Sequence, residues 1–160
     1  MKLFILIKNK MKEVTLWFII KDGKILLPLK KRGFGEGLYN GFGWKLENWE
    51  TPQQAMIREA KEEIWIDITK LVQKWIITFI FEEKPERDQK GYIYLIDDFK
   101  WNIVETEEMK PYWFDLDKIP YDKMWEDDKI WLPVFLSGEN FEFEFIFDKN
   151  GKLRKHRRIR

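Results

Sequence analysis

The chain reads as an α/β (α+β) domain, a mixed β-sheet sandwiched between helices, on three observations. Aromatic and β-branched runs alternate with two helical stretches along its length. Phe141, Phe143, Phe145 and Phe147 alternate with Glu142, Glu144 and Ile146, mostly the period of a strand with one buried face. A length of 160 residues with 44% hydrophobic content suffices for one core and no more.

The elements follow in order. Residues 14–20 and 24–29 are expected to form a hairpin around Lys21-Asp22-Gly23, where Asp-Gly supplies the positive φ of a tight turn. Residues 30–43 carry Gly33, Gly35, Gly37, Gly41 and Gly43 and read as a long functional loop. Thr51 is placed to cap a helix over residues 52–64, with Pro52 at its first position. Residues 74–82 and 91–99 are β-rich and aromatic, and 125–136 predicts a second helix capped from Glu126 or Asp127. The strand over 141–147 is expected to be the last.

Composition narrows the function. A net charge of +1 implies neither a nucleic-acid coat nor an acidic partner, so no stable nucleic-acid partner is expected. The absence of cysteine excludes disulfides and thiolate metal sites and points to a reducing cytoplasm. MKLFILIKNK holds only a five-residue apolar run, too short for a secretory core or a membrane span. Residues 1–12 are read as an N-terminal extension, with Met11 as an alternative start, 13–150 as the domain and 151–160 as a basic tail. That tail holds the single histidine, His156, and reads as a frayed, solvated end; weak affinity for RNA, phospholipid or substrate phosphates is the alternative.

The chemistry concentrates in ETPQQAMIREAKEE, residues 50–63. On a helix, Glu59, Glu62 and Glu63 fall within about 100° of one another. Three carboxylates on one face repel, and a hard cation between them turns that repulsion into a site suited to Mg²⁺, with Mn²⁺ as the alternative. Phosphoanhydride hydrolysis follows as the first expectation. The plain reading is a solvated Glu-rich helix with a routine Arg58–Glu62 ion pair.

The pattern resembles the signature of the Nudix hydrolases, Gly-x5-Glu-x7-Arg-Glu-U-x-Glu-Glu-x-Gly-U with U aliphatic. It runs here from Trp44 through Glu50, Arg58, Glu59, Ala60, Glu62, Glu63 and Trp65 to Ile66. KKRGFGEGLYNGFG and EMKPYWFDLDKIPYDKMWEDDKIWLP resemble the branch that hydrolyses oxidised purine nucleoside triphosphates. The resemblance implies the Nudix fold, a small-molecule nucleotide substrate of the 8-oxo-dGTP or 2-oxo-dATP type, and release of monophosphate and pyrophosphate. A monomer is expected.

Residue roles carry over by position. Glu59, Glu62 and Glu63 are implied as metal ligands, completed by the carbonyl of Gly43 and the carboxylate of Glu108. Glu50 and Arg58 are expected to pair and hold the loop against the helix; the general base stays open between Glu63 and Glu108. The substrate set is Thr15, Lys30, Phe34, Asn40, Phe42, Lys45, Trp125, Asp127 and Asp128. Asn40 offers donor and acceptor to a purine edge, and Trp125 a stacking face. Neighbouring Asp127 and Asp128 in a desolvated site share a proton, so one donates while the other accepts; helix-terminal charge is the plain alternative.

One departure runs through the chain. Trp44, Trp49, Trp65, Trp75 and Trp101 stand where the resemblance calls for glycine, whereas Trp113, Trp125 and Trp131 stand where it has aromatic residues. Trp65 falls at a helix end and Trp49 after Asn48, both expected to need positive φ; Trp17 lies in a strand, its role open. Two explanations compete: UGA codons that mean glycine read as tryptophan, or a Nudix-fold module that binds nucleotide without turnover. A hydrolase of an RNA cap or dinucleotide is a third reading.

Overall fold

The structure is a computed structural model that describes residues 10–43, 45–100 and 103–160. Expectations placed on residues 1–9, Trp44 and Trp101, and on the side chain of Glu63, lie outside the described residues.

Seven strands are joined in one sheet: β1 (Lys12–Lys21), β2 (Lys24–Lys30), β3 (Asp67–Phe81), β4 (Gln89–Lys100), β5 (Met109–Asp115), β6 (Phe141–Phe147) and β7 (Leu153–Arg158). Their order is β5-β2-β1-β4-β3-β6-β7, with β1/β4 and β3/β6 parallel and the other pairs antiparallel. Helices α1 (Pro52–Ile64) and α2 (Asp128–Leu136) cover opposite faces. Met56, Ala60 and Ile64 of α1 pack on Trp17, Ile19, Tyr94 and Ile96. On the other face Trp131, Leu132 and Phe135 of α2 pack on Phe18, Ile25, Trp75 and Phe141. Alternation along β1 sends Trp17 and Ile19 to one helix and Phe18 to the other, and each full burial contributes about 1.5–3 kcal/mol.

The sandwich is the expected one, and the Asp22-Gly23 turn has φ of 52° and 72°, as a two-residue hairpin turn requires. β1 and β2 stay paired only from Ile19↔Leu26 to Lys21↔Lys24. Beyond that they diverge, and the glycine-rich loop fills the wedge: Trp17 and Phe42 exchange backbone hydrogen bonds, and Asn40 N donates to Pro28 O. Gly43 is required there, because a Cβ would lie 1.9 Å from the Thr15 carbonyl oxygen.

Five expectations change. β3 starts at Asp67, ahead of residue 74, because its first half pairs with β4 through register shifts that mask the alternation. α2 starts at Asp128, after Trp125, and Asp127 at its N-cap makes no side-chain cap. The tail is not frayed. It forms β7, antiparallel to β6, and salt bridges pair Arg157 with Glu144, Arg158 with Glu139, Arg160 with Glu142 and Arg154 with Glu82. Those glutamates take up the charge that suggested an anionic partner. Trp49 is exposed in a turn without positive φ, so the expected strain is absent. Trp75 is a buried core residue, 4.6 Å from Phe135 between ring centroids, its indole N–H donating to Glu139 O at 2.6 Å.

Trp65 does adopt the left-handed conformation, φ 58° and ψ 33°, at the end of α1, with its indole exposed. An L-residue with a large side chain is strained there, which is why helices commonly stop on glycine.

Candidate active site

Helix α1 is fixed at its start by a capping box: Gln54 N donates to Thr51 Oγ1, and Thr51 N donates to Gln54 Oε1. One turn on, Arg58 forms a two-pronged pair with Glu50, Nε–Oε2 at 3.0 Å and Nη2–Oε1 at 2.5 Å. Glu50 Oε1 also accepts from Glu47 N at 2.7 Å, and Arg58 holds its carboxyl below the usual range. The pair thus ties the loop before the helix to the helix itself, as expected. Arg58 Nη1 also reaches Glu62 Oε2 at 3.1 Å, so the exposed Glu62 faces the guanidinium.

Glu59 is different. Its side chain is 2% exposed, and Oε2 accepts from Thr15 Oγ1 of β1 at 3.0 Å. Oε1 is buried and has no hydrogen-bond partner among the described residues, with Arg58 Nη2 held at 3.7 Å. Burial pushes this carboxyl up to about 7, against the Thr15 hydroxyl and Arg58, which favour the charged form. A buried carboxylate oxygen without a donor is costly, and a hard cation satisfies it. In this respect the residues fit the divalent ion expected from the motif. No three His, Cys, Asp or Glu side chains converge on one point among the described residues. Glu62 faces Arg58, Glu108 faces Arg32, and the Glu63 side chain lies outside the description.

Thr15 links this helix to a cleft of about 1110 Å³. Its walls include Gly43 and Glu108 from the expected metal ligands, and Lys30, Phe34, Asn40, Lys45, Trp125, Asp127 and Asp128 from the expected substrate set. The loop donates Tyr39 N to Lys123 O at 2.9 Å, and Phe34 stacks on Trp125, ring centroids 5.0 Å apart. Asn40 Oδ1 accepts from Gly41 N at 2.9 Å, so part of its acceptor capacity is spent locally. Phe42 is not part of the cleft: it is fully buried and stacks on Trp17 at 4.3 Å in the α1 core.

The aspartate pair is buried. Asp127 Oδ2 accepts from Trp131 Nε1 at 3.0 Å, and Asp128 Oδ2 from Trp125 N at 3.1 Å. Burial raises the Asp127 carboxyl to about 6; burial and the neighbouring Asp127 raise Asp128 well above the ordinary value. Two adjacent carboxyls in this setting keep a proton that exposed ones lose. Asp127 makes no side-chain cap, while Asp128 stands in the first turn of α2, where the plain alternative of helix-terminal charge also places it.

Several cleft residues escaped the sequence reading. Phe79 and Phe81 of β3 and Phe147 of β6 line its far wall, and Arg87 lies over the Phe34 ring at 5.7 Å. Alternation of Trp75, Ile77, Phe79 and Phe81 with the phenylalanines of β6 was the available signal. Nothing local marked Arg87.

The chain has close relatives among known proteins. A Danio rerio protein named oxidized purine nucleoside triphosphate hydrolase is 38% identical over 146 residues, covering 91% of this chain and 93% of the relative. A Mus musculus protein of the same name is 38% identical over 133 residues, covering 83% and 85%. The crystal structure of a MutT protein from Bacillus halodurans superposes with a TM-score of 0.81, covering 93% of this chain and 98% of that one. Its 22% identity makes this a likeness of fold. The NUDIX domain family matches residues 10–135, which include the loop, the carboxylate helix and the aspartate pair; the chain belongs to that family.

Proposed function

We propose that this chain hydrolyses oxidised purine nucleoside triphosphates, of the 8-oxo-dGTP and 2-oxo-dATP type, to the monophosphate and pyrophosphate, with Mg²⁺ as cofactor. The observation that carries this reading is one cleft that holds a buried aspartate pair and also abuts, through Thr15, the buried Glu59. Two relatives with 38% identity bear the name of this activity.

Glu59, Glu62 and Glu63, with the Gly43 carbonyl and Glu108, are the groups assigned to hold the cation. When bound, it supplies Lewis-acid polarisation of the phosphate oxygens. The chain's own residues do the rest. Arg58 and Glu50 keep α1 in register with the loop, and Thr15 orients Glu59. Lys45 lines the cleft as a cation that offsets phosphate charge, and Lys30 stands with the groups around the base. At the other end Trp125 supplies a stacking face worth about 1–3 kcal/mol per base. Asp127 and Asp128, holding a proton between them, present a donor beside an acceptor to the oxidised base.

The test is incubation with 8-oxo-dGTP and Mg²⁺ while pyrophosphate and monophosphate are followed. Both products are expected, and Glu63→Gln should remove most turnover while leaving the fold intact. Nucleotide binding with no pyrophosphate at any Mg²⁺ or Mn²⁺ concentration would overturn hydrolysis in favour of the non-catalytic binding module. The strained Trp65 and the arginine-paired Glu62 and Glu108 are what favour that second reading.

A further inference from the structure

Arg32 lies two residues past the end of β2 and lines the same cleft as Glu108. Its Nη2 lies 3.2 Å from Glu108 Oε1 and 4.0 Å from Glu107 Oε2. Among the described residues, Arg32 is the one cleft-lining cation held in an ion pair. The neighbouring contact is separate: Lys31 pairs with Glu105, Lys31 Nζ donates to Thr106 O at 2.8 Å, and Lys31 N donates to Glu108 O at 2.9 Å. The Glu108 backbone is therefore anchored without Arg32, and the guanidinium acts only on where the carboxylate points. Both side chains are 61% exposed, so the pair is weak and readily exchanged.

We infer that Arg32 and Glu108 form an exchangeable pair, in which Arg32 holds the carboxylate of the free protein and passes to the polyphosphate when nucleotide arrives. Glu108 is then released to the cation. This rests on the reading of Glu108 as a metal ligand. A guanidinium fork matches carboxylate and phosphate equally well, so the handover exchanges one charge-assisted pair for another. Arg32 is on this account a positioning residue in the free state and a phosphate contact in the complex.

The consequence has opposite signs in the two states. Without nucleotide, Arg32 competes with the cation for Glu108, so removing it tightens cation binding. With nucleotide, removing it loses a phosphate contact and raises KM. A residue that merely props the loop would, on removal, weaken both.

The experiment titrates Mn²⁺ by electron paramagnetic resonance into nucleotide-free protein, comparing the parent with Arg32→Gln, Glu108→Gln and the double variant. Steady-state kinetics on 8-oxo-dGTP accompany it. Arg32→Gln should bind Mn²⁺ about two- to fivefold more tightly, the range of an exposed ion pair, and the gain should vanish in the Glu108→Gln background. KM should rise about tenfold or more, the worth of a charged hydrogen bond, with a smaller change in kcat. Unchanged or weaker Mn²⁺ affinity in Arg32→Gln, where Glu108→Gln does weaken it, overturns the handover alone. If Glu108→Gln leaves Mn²⁺ affinity intact, the assignment of Glu108 as a ligand fails and the handover fails with it.

Discussion

Two buried carboxylate sites lie against opposite faces of one sheet, and their oxygens are held in different ways. Glu59 on α1 has one oxygen on the Thr15 hydroxyl and the other without a donor among the described residues. Asp127 and Asp128, at the start of α2, each accept a hydrogen bond from a tryptophan N–H and crowd each other. A lone carboxylate with an unsatisfied oxygen suits a cation; two adjacent carboxyls in an apolar wall suit a shared proton. On the function proposed above, the same side-chain chemistry serves phosphate on one side and base on the other, set by what each carboxyl is packed against.

The largest effect expected is on the cation side. Glu59→Gln keeps an oxygen for the Thr15 hydroxyl but removes the charge, so turnover should fall by about 10³-fold or more, roughly 4 kcal/mol of transition-state stabilisation. Thermal stability should hold or rise, because a desolvated charge is lost. Circular dichroism melts with single-turnover kinetics check both. Full activity in this variant would erase the distinction between the two carboxylate sites.

On the proton side, Asp127→Asn replaces a titrating pair by a fixed amide beside a carboxylate. The ratio of kcat/KM on 8-oxo-dGTP to that on dGTP should shrink by about 1–3 kcal/mol, or roughly 5- to 150-fold. An unchanged ratio would return the pair to a packing role.

The same pair predicts a pH dependence with a definite sign. Asp127 is raised from the ordinary 3.8 to about 6 in the folded protein, in surroundings that include Asp128, Glu126, Tyr121, Trp125 and Trp131. A raised carboxyl favours folding below its unfolded value, and that contribution is lost as pH rises through the folded one. Stability should therefore decline by on the order of 2 kcal/mol between about pH 4 and 6. Urea melts should show a shallower decline in Asp127→Asn, and an equally steep one would assign the slope to other groups.

The smallest effect concerns the helix that carries Glu59. Trp65→Gly should stabilise by about 1–2 kcal/mol, since the left-handed end is relieved of a bulky side chain. Trp49→Gly, at a position without positive φ, should change stability by no more than about 0.5 kcal/mol. Chemical denaturation of the two variants separates these outcomes. If misread UGA codons explain the tryptophans, codons 44, 49, 65, 75 and 101 are UGA and 113, 125 and 131 are UGG. UGG at all eight ends that explanation.

Local chemistry alone determined much of this protein. Thr51-Pro52 set the start of α1, Asp22-Gly23 set the hairpin, and the i,i+4 spacing paired Arg58 with Glu62 as read. Capping, turn chemistry and helix periodicity act within a few residues, so they are legible in order along the chain. What lay between distant segments was decided by packing. Register against β6 turned a basic tail into β7, burial against Trp17 took Phe42 out of the cleft, and Trp75 found a core partner. The states of the carboxyls were decided the same way. Nothing local to Glu59 says that it meets a threonine hydroxyl from β1, and the adjacency of Asp127 and Asp128 does not by itself bury them or bring the Trp131 N–H to Asp127. Desolvation and hydrogen bonding depend on neighbours that only the folded sheet and its two helices bring within reach.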